Sequence, residues 1–155
     1  MSFNNKIVSV FILPFVLLGC SKVQNPSNIQ YVPIPHESKV VKVIDGDTIE
    51  LKVNWLPPEL GSKLLLRIEG VDTPEKGHRA KCVSESFRGD AATKFSQMKV
   101  LTAKSIEVKL KEWDKYGGRV LGDVIIDGKS LSTELISSGN ARPYHGEKKS
   151  NWCIN

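Results

Sequence analysis

Between Arg67 and Glu75 the chain reads Arg-Ile-Glu-Gly-Val-Asp-Thr-Pro-Glu. A guanidinium, carboxylates and a hydroxyl are gathered there within a few residues, and Pro74 stiffens the segment and biases Thr73 toward extended geometry. Upstream stands Asp45-Gly46-Asp47, and downstream Arg119 follows two glycines. Phosphodiester hydrolysis uses such a set. A hard cation that polarises a phosphate oxygen wants oxygen ligands such as Asp and backbone carbonyls. A carboxylate orients or deprotonates the attacking water. Arginine forks hold charge developing on phosphoryl oxygens, because they bind two oxygens at once and stay charged. Each residue also has a plain reading: Asp45 and Asp47 as turn formers, Asp72 and Thr73 as a turn or cap, Glu75 as a solvated acid, and Arg67 and Arg119 as surface arginines.

The elements that would position these groups follow from the pattern. Leu64-Leu65-Leu66 precedes Arg67, so Lys63 to Ile68 reads as a buried strand opening into a loop. Lys39 to Ile44 and Thr48 to Val53 read as strands joined by an Asp-Gly hairpin. The segment from Asn54 to Ser62, with Pro57-Pro58 and Gly61, reads as a loop. A helix is expected from Ser84 to about Leu101, with Phe87, Ala91, Phe95 and Met98 as a stripe facing the core. Ser105 to Lys111 and Arg119 to Ile126 read as strands separated by a loop from Glu112 to Gly118. A short helix is expected from Leu131 to Ser138, with Leu131, Leu135 and Ile136 inward and Gly139 as its stop. Ala141 to Asn155 reads as basic and irregular. Five short strands with an inserted helix suit an α+β fold, a small five-stranded Greek-key barrel of the OB type with a short C-terminal helix.

The start of the chain reads as an address. Lys6 is followed by an apolar run from Ile7 to Leu18, too short to span a bilayer and shaped like a signal-peptide core. Residues 17–20, Leu-Leu-Gly-Cys, resemble a bacterial lipobox, in which Cys20 carries lipid and begins the mature protein; a plain secretory signal or an uncleaved anchor is the alternative. The expected organisation is a signal peptide at 1–19, a polar proline-bearing tether at 20–38 and one catalytic-sized domain at 39–155. The protein is then exported, as a cell-envelope lipoprotein held to a membrane through Cys20, or as a secreted or periplasmic protein. The whole chain of 155 residues carries a formal charge of +5. This balance suits a polyanionic partner, and equally solubility or anionic lipid. With Cys20 lipidated, Cys82 and Cys153 remain as an even pair, for which a disulfide is the simplest reading in an oxidising compartment. There is no CxxC and no Cys/His cluster of the zinc type in the sequence.

Four segments together carry a family resemblance. They are Val-Ile-Asp-Gly-Asp-Thr at 43–48, the segment 67–75, Asp-Lys-Tyr-Gly-Gly-Arg-Val-Leu-Gly-Asp-Val at 114–124, and Gly-Asn-Ala-Arg-Pro-Tyr at 139–144. In this order they resemble the staphylococcal nuclease (thermonuclease) family. The resemblance implies an OB-fold barrel that acts as a monomer and cleaves DNA and RNA with Ca²⁺. It implies Asp47 and Asp72 as side-chain calcium ligands, with Thr73 adding its backbone carbonyl. It gives Glu75 the attacking water, and Arg67 and Arg119 the scissile phosphate, while Lys115, Tyr116 and Tyr144 line the nucleotide pocket. The family route, water attack at phosphorus with departure of the 5′-oxygen, gives 3′-phosphate ends. Gly118 is an extra glycine, the stretch 54–61 is an insert, and the family's C-terminal helix is missing, a place the disulfide would fill. A nucleic-acid-binding OB-fold lipoprotein without turnover is the alternative, and an envelope lipoprotein using its basic face on lipid is a third reading.

Overall fold

In a computed structural model, residues 38–115 and 117–154 are described. The expected signal peptide, most of the tether, Cys20 and Tyr116 lie outside the described residues. Strand β1 (Lys39–Val43) turns through residues 44–47 into β2 (Thr48–Lys52), and the pair is antiparallel with a bulge between Val40 and Lys42. The turn is closed by the Ile44 N–H, which donates to the Thr48 carbonyl at 2.8 Å. After a loop containing one 3-10 turn, Pro58–Leu60, β3 (Lys63–Ile68) pairs antiparallel with β2. The two-residue β4 (Val71–Asp72) leads into the loop that bears Thr73 and Glu75. Helix α1 (Val83–Thr102) crosses to β5 (Ile106–Trp113), which pairs antiparallel with β6 (Arg119–Ile126). Then come β7 (Lys129–Ser130), α2 (Leu131–Ser137) and β8 (Arg142–Pro143), the last paired with β4.

The long strands lie in the order β1-β2-β3-β6-β5, with β3 and β6 parallel. This is the expected α+β, OB-like fold, a curled mixed sheet with two helices. The alternation of β6 shows why it forms: Val120, Gly122, Val124 and Ile126 face inward and the residues between them face out. They meet Leu64, Leu66 and Ile68 of β3, Ile49 and Leu51 of β2, and Leu131 and Leu135 of α2 in one core. Gly122 is required by a close approach, since a Cβ there would lie 2.1 Å from the Lys109 carbonyl oxygen.

Three expectations are corrected. Helix α1 does not turn its apolar stripe inward, because Phe87 is 71% exposed and Met98 56%, and Ala91 is exposed as well; Phe95 alone of the four packs partly on the core. The buried face is Glu85, Gly89, Ala92, Thr93 and Ser96. The reason is the partner: this face rests on the polar backbone of two loops. A Cβ on Gly89 would lie 2.5 Å from the Glu75 carbonyl oxygen, and the Ser96 hydroxyl donates to the Gly46 carbonyl at 2.7 Å. Ile136 is exposed rather than inward, since α2 is too short to bury more than Leu131 and Leu135. The expected loop from Glu112 begins later, because pairing of Glu112 with Leu121 and Trp113 with Val120 extends β5 past a bulge.

Candidate active site

The β1–β2 turn, the floor strand β3, the loop after β4 and the β5–β6 turn converge on one cleft of about 580 Å³. At the hairpin end, the Asp47 N–H donates to Asp45 Oδ1 at 3.3 Å, a local Asx bond that shapes the turn. Asp45 itself pairs with Arg79 at 3.0 Å. Thus the turn-forming reading fits Asp45, while Asp47 points its carboxylate into the protein. Asp47 Oδ2 accepts from the Thr73 N–H at 3.0 Å and from its hydroxyl at 2.8 Å. Its Oδ1 forms a close ion pair with Arg67 Nη1. Burial pushes the Asp47 carboxyl above its ordinary value, against the pull of the Arg67 guanidinium and the Thr73 hydroxyl.

Arg67 sits on β3 opposite Thr48 on one side and Leu121 on the other. Its Nη2 donates to the Val71 carbonyl at 3.1 Å. Nη1, though close to Asp47, lacks a hydrogen-bond partner of good alignment. Arg119 opens β6 beside Leu65 and reaches the same cleft. Asp114, buried, takes its Nε at 2.7 Å, and the Asp114 N–H donates to the Arg119 carbonyl. The turn between them is closed by Gly117 and Gly118, both left-handed at φ 73° and 74°. The extra glycine is therefore what lets two successive left-handed residues complete the turn before Arg119.

Glu75 lies between two cations, Arg79 Nε at 3.3 Å and Lys149 Nζ at 3.8 Å. Asp72 is 3% exposed and does not form part of the cleft wall. Its Oδ2 accepts from the Trp152 indole N–H at 3.0 Å. Its Oδ1 lies 2.7 Å from Lys149 Nζ, an ion pair outside hydrogen-bond alignment. Burial works against the charge on Lys149, but Asp72 prevails and holds the ammonium pKa above its usual 10.5. Of the expected residues, Arg67, Asp47, Glu75, Arg119, Lys115 and Tyr144 line the cleft, and Asp72 and Thr73 stand behind them. Among the described residues, the clustered metal-ligand type group is Cys82, Glu85 and Cys153, not the cleft acids. Cys82 and Cys153 are bonded to one another as a disulfide across a separation of 71 residues, so their sulfurs are not thiolate ligands.

The sequence pattern missed the supports. Glu85, buried in the first turn of α1, accepts from the Lys81 N–H at 2.7 Å and the Glu75 N–H at 3.4 Å. It resembles a capping box turned toward the loop, and Glu three residues after Cys82 was the available signal. Arg79, Lys149 and Trp152 had no local signal, because the fold brings Asp45 to Arg79 and Asp72 to the other two, while Asp114 stood in the 114–124 segment with no role assigned to it.

The sequence profile described as "Staphylococcal nuclease homologue" matches residues 65–152, more than half of the chain. The chain belongs to the staphylococcal nuclease family. Its nuclease-family region thus runs from β3 to Trp152, through both arginines and the tail. Among curated proteins it is similar to Endonuclease YhcR of Bacillus subtilis (strain 168), 34% identical over 115 residues covering 70% of this chain and 9% of that protein. It is also similar to Endonuclease YncB of the same organism, 38% identical over 103 residues, 65% of this chain and 44% of that one. A third relative there, the SPbeta prophage-derived endonuclease YokF, is 35% identical over 103 residues, 65% of this chain and 32% of that one. The chain spans less than half the length of each of these relatives.

Proposed function

We propose that this chain is a calcium-dependent nuclease that hydrolyses phosphodiester bonds of DNA and RNA as a monomer. The carrying observation is that Arg67 and Arg119, from parallel neighbouring strands, enter one cleft together with Asp47 and Glu75. A hard cation fits the donors, which are all oxygens, and the buried Asp72 Oδ1 already draws a positive charge, the Lys149 ammonium at 2.7 Å. Asp47 and Asp72 would hold the ion by their side chains and Thr73 by its carbonyl. Bound there, calcium would supply a positive charge that polarises a phosphate oxygen. Arg67 and Arg119 grip the phosphate, each already braced by an acid, Asp47 and Asp114. Glu75, paired with Arg79 and Lys149, positions the attacking water or takes its proton. The 5′-oxygen departs and a 3′-phosphate remains, without need of a 2′-hydroxyl. Lys115, Tyr116 and Tyr144 would contact the nucleotide.

The same reading places the domain, residues 39–155, outside the cytoplasm, behind a signal peptide at 1–19 and a tether at 20–38, with lipid on Cys20 as its membrane anchor. The Cys82–Cys153 disulfide supports an oxidising compartment. Release of acid-soluble nucleotides from denatured DNA and from RNA, with calcium and with chelator, tests the activity. The expected result is cleavage with calcium, 3′-phosphate ends, and loss of turnover in Glu75→Gln. Full activity in chelator would overturn it, and calcium-dependent binding without product would favour a binding module instead. Incorporation of labelled fatty acid that is lost in Cys20→Ser tests the anchor.

A further inference from the structure

Among the described residues, the tail from Tyr144 onward has no helix or strand, yet it forms one side of the site. Trp152 is 6% exposed, and its indole N–H donates to Asp72 Oδ2 at 3.0 Å, across 80 residues of sequence. An indole can only donate, so this bond fixes which carboxylate oxygen is engaged and leaves Oδ1 for positive charge. Lys149, from the same tail, stands on that oxygen. Trp152 is itself held on three sides. The Arg142 guanidinium stacks 3.9 Å from its ring centroid, Arg88 Nη1 donates to its carbonyl at 3.0 Å, and the next residue is tied to the N-cap of α1 by the disulfide.

We propose that Trp152 is a positioning residue for Asp72, and that the Cys82–Cys153 bond is what keeps it in place. This rests on the reading of Asp72 as a cation ligand. A carboxylate that binds an ion through one oxygen is oriented by the bond to its other oxygen, and such supporting bonds are worth about tenfold to a hundredfold in metal affinity. The disulfide helps make the tail a wall of the site: past Tyr144, whose N–H donates to the Gly70 carbonyl at 3.0 Å, no strand or helix among the described residues holds it.

Calorimetric calcium titration of the full chain tests this. Trp152→Phe keeps the ring on Arg142 and removes only the donor. The expected result is a calcium Kd raised about tenfold, a lowered melting temperature from the lost buried bond, and turnover that recovers at saturating calcium. A wild-type Kd in Trp152→Phe, or a lower melting temperature with no change in Kd, would overturn the positioning role. Asp72→Asn separates the two ideas: if it binds calcium like the wild type, the ligand reading itself fails. In the Cys82→Ser/Cys153→Ser double variant, the same rise in Kd is expected. The Trp152 indole proton, expected to exchange slowly by NMR in the wild type, should also become exposed to solvent. A protected indole and an unchanged Kd there would overturn the disulfide's part.

Discussion

In the proposed reaction Arg67 and Arg119 share one task from different settings. Arg67 is buried, with one nitrogen engaged by a backbone carbonyl and another against Asp47. Arg119 is about one-third exposed, and Asp114 takes its Nε, which leaves both terminal nitrogens of the fork for phosphate. Arg119→Lys keeps the charge and loses the fork. By analogy with removal of a single oxyanion donor, a loss of about a hundredfold in kcat, about 3 kcal/mol, is expected with little change in KM. Steady-state kinetics on a short oligonucleotide would check it. At this scale the sequence was informative about residue type: Arg67, Asp47, Glu75 and Arg119 all reach the cleft. It was silent on pairing. Lys149 meets Asp72, and Arg79 meets Asp45, only because the chain doubles back. Side-chain charge is local information, whereas the partner of a charge is a property of topology.

At the level of elements, strands were readable and helix orientation was not. Lys63–Ile68 and Arg119–Ile126 have the bounds expected from the sequence. Helix α1 has a real apolar stripe, but its inner face is set by the loops beneath it, which demand small residues. Gly89→Ala weighs one effect against the other. Alanine favours the helix by about 1 kcal/mol, while a Cβ 2.5 Å from the Glu75 carbonyl oxygen forces apart two backbones. Overpacking of this kind costs about 1–3 kcal/mol, so the variant should unfold at lower urea and lose activity through displacement of Glu75. The β6–β7 turn provides a second case. Asp127, at φ 49°, accepts from the Ser105 and Lys104 N–H groups at 2.8 and 2.9 Å, fastening the end of the α1 connection to the sheet. Those bonds, the Ser105 bond foremost, hold its carboxyl below the usual 3.8. A depressed value means that the charge adds stability above the unfolded value and loses it as pH falls through the folded one. Asp127→Asn should therefore be less stable than the wild type at neutral pH. That difference should shrink below about pH 4, as measured by thermal unfolding across a pH series.

Across the whole molecule, the disulfide is the longest covalent constraint among the described residues, with a separation of 71 residues. In the chain-entropy account, closing a loop of that length stabilises by about 4 kcal/mol. The Cys82→Ser/Cys153→Ser variant should lose about that much unfolding free energy, read as a lower denaturation midpoint, with an unfolding slope that reports the more expanded unfolded chain. The pairing of the cysteines was legible from their parity, and the fold from motif order. What Trp152 does was not, since nothing in the sequence links it to Asp72. The parallel ladder between β3 and β6 has a further consequence. It sets Arg67 beside Leu121 and Arg119 beside Leu65, and it can form only after the intervening loop, α1 and the β5 hairpin have been gathered. Pairings of such high contact order are slow and come with the cooperative folding step. No local fragment of the chain holds both arginines in register, so under the proposed function a nascent chain would be catalytically silent, and cleavage would arise only in the finished fold.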